Sequence, residues 1–276
     1  MAGWGDALIP IARFTNGDWV NTWPAPEEAT VAVPALADLP VAWLGGPAPR
    51  HWRLWQDGSS SIVEVSGARR GERDKHAGCL SPAVLELRSA LRPPADDFWP
   101  VAVDTGEPIA RPIPMESGDD GWAEIQAAVL QRFADAEAKT NGGSGNKSVD
   151  DKLAEAHLDL TQQSMTIEHV FRDPLSSSDS PVIFFAATKK APDRDLGRRV
   201  SGWLRRDASG WTALTLSDDV ITPESNPVSS PIAMIQHAGR EFVLMSENAV
   251  ESGGFAIFEI TSSAVRRLVS AGNGGC

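Results

Sequence analysis

Short runs of alternating apolar and polar residues in this chain repeatedly reach a tight polar or glycine turn and come straight back. This happens over 11–20 through Asn16-Gly17, 52–65 through Asp57-Gly58 and 201–216 through Ser209-Gly210. It recurs over 232–245 through Ala238-Gly239 and over 255–269 through Ser262-Ser263. Turn residues flanked by β-branched and aromatic runs predict antiparallel hairpins. From Met165 the period is two, with Met165, Ile167, His169 and Phe171 set against Thr166, Glu168 and Val170. The unbroken apolar run 182–186 reads as a strand buried on both faces. The turn-bounded alternation gives about eight strands in series from 165 to 269.

Helical spacing is rarer. Trp122, Ile125, Val129, Phe133 and Ala136 recur at three- and four-residue steps, which predicts an amphipathic helix over 121–139 capped by Asp119 or Asp120. A flexible Gly/Ser break follows at 141–146, and 153–160 continues as a second helical piece. Ser81-Pro82 reads as a helix start, with Val84, Leu87 and Leu91 at helical spacing and Pro93-Pro94 as the stop. Earlier, 29–33 and 41–44 are short extended pieces closed by prolines, and 98–103 and 109–113 are extended within a loop-like stretch.

These patterns predict a mainly β protein of hairpin-rich antiparallel sheets, either a β-sandwich or an irregular propeller-like array, with a helical insertion around 121–160. A propeller needs a period near forty residues, and the turn spacing drifts too much to establish one. In domain terms, 1–118 is a Trp/Pro-rich β region with one short helix, 119–160 the helical insertion, and 161–276 a meander packing with the first region in one compact domain.

Composition narrows the classes. The 276 residues suffice for a sizeable core, and 24 glycines with 20 prolines suit a fold made of turns. A net charge of −12 argues against wrapping a phosphate backbone, so no nucleic-acid partner is expected. One local exception runs from Lys189 to Arg206. Lys189, Lys190, Arg194, Arg198, Arg199, Arg205 and Arg206 outweigh Asp193 and Asp195 there, forming a candidate patch for an anionic partner or a charged, soluble edge. No eighteen-residue apolar stretch exists, so no membrane-spanning helix is expected. The N-terminus lacks the basic and apolar regions of a secretory signal. An extracytoplasmic setting would require a signal already removed. Cys79 and Cys276 are a candidate disulfide in an oxidising compartment and two free thiols otherwise.

No local motif carries a recognisable chemistry. His76 and Cys79 lack the further ligands of a zinc site, and no H-E-x-x-H, nucleophile elbow or phosphate-binding glycine pattern occurs. No metal or cofactor is expected. The acidic pairs Asp96-Asp97, Asp119-Asp120, Asp150-Asp151 and Asp218-Asp219 lack calcium-loop spacing. Tryptophan remains: ten in all, with Trp19, Trp23, Trp203 and Trp211 as candidate ligand contacts, since exposed indoles stack on sugars and anchor interfaces. Trp52 and Trp55, three apart on a strand, face opposite ways. The expected function is a non-catalytic binding or protein-interaction module with a protein or glycan partner. The alternatives are a hydrolase of a polar polymer using loop carboxylates or Glu168 beside His169, and a self-assembling structural subunit.

Overall fold

The computed structural model describes residues 2–23, 39, 43, 50–56, 58–69, 71, 81–92, 100–103, 109–141, 153, 160, 162–192, 196–222, 226, 228–248 and 252–275. Among the described residues the protein is mostly β, in antiparallel sheets with a helical insertion at 122–141. It divides into two compact units: 1–111 with 228–260 and 266–276, and 112–227 with 261–265.

The first unit opens with β1 (Ala2–Trp4) and β2 (Ala7–Ile9), then the small hairpin β3 (Arg13–Thr15) and β4 (Asp18–Val20). β5 (His51–Gln56), β6 (Ser59–Arg69), β7 (Val84–Leu87) and β8 (Val101–Val103) follow. Six of these close a barrel in the order β1-β2-β7-β6-β5-β8. Alternation along each strand divides the side chains between two cores. Leu8, Trp52, Leu54, Leu85, Leu87 and Ala102 fill the barrel. Their neighbours Ile9, Trp55, Val101 and Val103 pack instead against a second sheet. Trp52 and Trp55 thus face opposite ways, as their spacing predicts.

That second sheet takes β9 (Ile109–Ala110) beside β15 (Val228–His237), then β16 (Arg240–Asn248), β17 (Ser252–Ile260) and the edge strand β18 (Val265–Gly275). Ile232, Ile235, Phe242, Leu244, Phe255 and Ile257 supply its core.

The second unit runs through β10 (Ile113–Met115), the helix α1 (Trp122–Asn141), β11 (Thr166–Arg172), β12 (Val182–Lys190), β13 (Gly197–Asp207) and β14 (Gly210–Ile221). Its sheet order follows the chain, β10-β11-β12-β13-β14. The apolar stripe of α1, Ile125, Val129 and Phe133, lies on Ile183, Phe185, Ala187, Val200 and Leu204. Polar contacts flank that stripe: Arg206 with Glu124 at 3.1 Å, Arg132 Nη2 to the Trp211 carbonyl at 3.1 Å, and Lys189 Nζ to Glu137 at 2.8 Å. Residues 182–187 are all buried, as a run apolar on both faces requires.

The strand series β11–β18 matches the eight expected, and all five hairpins form at the expected turns. Three details differ. The piece 81–91 is not a helix: Val84–Leu87 is strand β7, paired between β2 and β6. Val84 and Leu87, three apart, face opposite ways on this strand, yet both are buried along with Leu85, and the ladder partners on both sides decide the outcome. A bulge between Ile167 and His169 shifts the alternation of β11, so that Val170, set with the polar face in sequence, is buried against the helix. Asp119 turns its carboxylate back to the Glu116 N–H at 2.9 Å, while its carbonyl accepts the Trp122 N–H and the Gly121 carbonyl the Ile125 N–H. The eight strands of the 161–276 stretch fall in two five-stranded sheets, one joined by β10 and the other by β9. Residues 24–38, 72–80 and 142–152, which carry His76, Cys79 and the Gly/Ser break, lie outside the described residues, as does Cys276. Of the piece 153–160 only Leu153 and Leu160 are described. No helix among the described residues is long and apolar enough to cross a membrane.

Candidate functional site

Two hairpin tips in the first unit build one corner. The β3–β4 turn places Asn16 at φ 52° and Gly17 at 84°; the β15–β16 turn places Ala238 at 52° and Gly239 at 75°. Positive φ at both central residues is the type I′ geometry, whose twist matches the flanking strands. Asparagine and glycine accept it readily. Alanine does not, because its Cβ crowds the following carbonyl at a cost of roughly 1–2 kcal/mol. Ala238→Gly is therefore expected to raise stability by about 1 kcal/mol, less the extra entropy of the unfolded glycine. Urea denaturation of the two proteins measures it, and an unchanged midpoint would rule the strain out.

Between the tips sits an aromatic cluster. Phe14 meets His237 edge-on with ring centres 4.2 Å apart, Trp19 at 5.4 Å and Phe242 at 6.1 Å. Trp19 lies edge-to-face on Phe242 at 5.7 Å. Such pairs favour the positive ring edge against the negative face. Phe242 is buried; Phe14, Trp19 and His237 are partly exposed, and Asn16, Gly17 and Asp18 are open to solvent.

Arg240, the first residue after the second turn, ties the corner together. Its Nη1 donates to the Gly17 carbonyl, its guanidinium lies 4.9 Å over the Phe242 ring, and its Nε donates to Glu259 Oε1 at 2.6 Å. Glu259 is 8% exposed and also accepts from Arg266 Nη2 at 2.7 Å. The hydrogen bond from Arg240, then that from Arg266, holds the Glu259 carboxyl below its ordinary range, against burial that pushes it up. The same hydrogen bond from Arg240 to Glu259 holds the guanidinium proton more tightly than usual.

The residues singled out in sequence are distributed unevenly. Trp19 is in this corner. Trp23 is buried in the barrel unit, where its Nε1 donates to the Ala83 carbonyl at 2.9 Å and its ring meets Trp43. Trp203 is buried 5.3 Å from Phe184, which stacks on His169. Trp211 is partly buried at the edge of the helix–sheet core.

Five of the basic side chains of this stretch meet acids from elsewhere in the second unit, Arg206 among them through Glu124. Arg198 forks onto Asp218, with Nε to Oδ1 at 2.8 Å. Arg199 Nη2 lies 3.0 Å from Glu168 Oε2, and its Nη1 donates to Asn226 at 2.8 Å. Lys189 holds Glu137, and Lys190 lies 3.9 Å from Glu168. Arg194 lies outside the described residues. Arg198 and Arg199 are both buried, so each carboxylate compensates a charge that would otherwise be stranded.

Sequence reasoning did not find Phe14, His237, Arg240 and Glu259. The two glycine turns were visible, but nothing local says that tips more than two hundred residues apart meet. No group of three or more metal-ligating side chains occurs among the described residues. No protein family, curated protein or solved structure matches the chain.

Proposed function

We propose that this protein is a non-catalytic binding or interaction module, and that it contacts its partner through the Trp19 corner. One observation carries the reading. Two hairpin tips bring a partly exposed indole and imidazole, a guanidinium and the exposed Asp18 side chain into one patch. Such a mixture suits a ligand with a flat apolar face and polar groups at its rim, such as a glycan or a protein loop. The β15–β16 side of the corner supports the reading further, because those strands are each paired on both sides and need little ordering on contact.

The test is a glycan array together with native pulldown from the intact protein, repeated with Trp19→Ala. An aromatic hot spot is worth about 2 kcal/mol or more, so affinity for any binder should fall about thirtyfold or further. A binder held equally well by Trp19→Ala would remove the corner from the reading. Turnover of a substrate in the absence of any binder would remove the reading itself.

A further inference from the structure

The hairpin that carries Trp19 is a sheet of its own, two strands of three residues each. A hairpin of that size is not stable in water by itself and depends on what it docks against. Here the docking has two parts: the edge-on contacts of Phe14 and Trp19 with Phe242 and His237, and the bond from Arg240 to the Gly17 carbonyl at the tip. Both ends of the hairpin are anchored independently. Ile11 is 2% exposed in the core beneath it. Past β4, the Asn21 side chain donates to the Ser270 carbonyl at 3.1 Å and accepts the Trp23 N–H, and Trp23 is itself fixed in the barrel core.

We propose that β3–β4 is a flap latched by Arg240, and that its release dismantles the Trp19 corner while the sheet beneath stays folded. This rests on the reading of that corner as the binding site and adds its regulation.

The balance of contacts favours a local opening over a global one. When the tip leaves, Arg240 keeps Glu259 as its partner, so no buried charge is stranded. The strands underneath keep their ladder, β15 with β9 and β16, and β16 with β17. Their core of Ile235, Leu244, Phe255 and Ile257 comes from strands outside the flap, and Phe14 and Trp19 pack against it only as partly buried residues. What is lost is one charge-assisted hydrogen bond, the aromatic edges, and the packing of two partly buried side chains, Phe14 and Trp19, on that core. Elements held by few contacts of this kind open at a fraction of the global free energy.

Native-state hydrogen exchange on the full chain tests the latch without any ligand. In the unaltered protein the amides of Asp18 and Val20 are expected to exchange at least tenfold faster than those of β16, by an opening that depends little on denaturant. Arg240→Lys keeps a positive charge for Glu259 but lacks the second arm that reaches Gly17. It is expected to speed the flap amides at least a further tenfold and leave β17 unchanged. The proposal is overturned if flap and β16 amides exchange together in one global event, or if Arg240→Lys leaves the flap rate where it was. Should Arg240→Lys fold poorly, the comparison within the unaltered protein still decides. A failed latch leaves the binding reading to be judged by Trp19→Ala alone.

Discussion

Replacing Gly202 by alanine is expected to destabilise the second unit by about 3 kcal/mol, the upper range for forcing atoms into a packed site. The cause is steric rather than conformational. Gly202 sits inside β13 opposite Leu216, next to the bulge between Trp203 and Leu204. A Cβ there would lie 2.1 Å from the Thr215 carbonyl oxygen and 3.0 Å from the Leu216 Cα. Both are backbone atoms, so no side chain can rotate away. Thr215 is further restrained by Val265, whose N–H donates to the threonine hydroxyl at 3.2 Å. Glycine in a strand interior usually weakens it, and its presence here marks a close approach of two backbones. Urea unfolding followed by circular dichroism gives the measurement. Gly254→Ala serves as a milder comparison, since its Cβ would meet the Ala271 carbonyl at 3.0 Å. A Gly202→Ala midpoint no lower than that of Gly254→Ala would show that β14 moves aside easily.

Glu259→Gln is expected to cost about 2 kcal/mol at neutral pH. A fully buried ion pair broken from one side costs ~3–5 kcal/mol. The smaller figure follows because Arg240 and Arg266 keep 31% and 66% of their side-chain surface in water. The same site gives a pH dependence of definite sign. The carboxyl of folded Glu259 is held below its ordinary value of 4.5. The unfolded chain therefore binds a proton there before the folded one does. The contribution of Glu259 is whole above the ordinary carboxylate range and is lost as pH falls through the depressed folded value. Denaturation curves at pH 7 and at successive steps below 4.5 should converge for the parent and Glu259→Gln proteins. A gap between them that stays constant down the whole acid limb would mean that the ion pair does not account for the effect.

How far each of these features can be read from the chain follows from the distance over which its cause acts. Hairpins are local: Asn16-Gly17 prescribes its own backbone, Gly239 permits the same turn beside the strained Ala238, and alternation on either side states which face is apolar. The helix α1 is local as well, because its apolar positions repeat within four residues. Segment 84–87 was ambiguous for the same reason, since four residues satisfy both periods and neighbours far away in sequence choose between them. Burial of Val170 depended on one extra residue at Glu168, and a bulge leaves no mark in the pattern until its partner strand is known.

The basic stretch 189–206 reads as an anion patch or a charged, soluble edge because sequence shows charges along a line. Folded, Glu137, Glu168 and Asp218 come from other elements to meet Lys189, Arg199 and Arg198. The Trp19 corner is the opposite case. Its parts come from β3, β4, β15, β16 and β17, and only Trp19 drew notice along the chain.

By itself, then, the order of residues determined the antiparallel hairpins and the amphipathic helix at 122–141, since backbone preference and side-chain period act between near neighbours. Tertiary structure alone decided how the strands divide into a closed barrel and two meanders, which charges cancel, and that Arg240 joins Gly17 to Glu259. Those outcomes depend on which surfaces exclude water from one another, and that is a property of the packed chain.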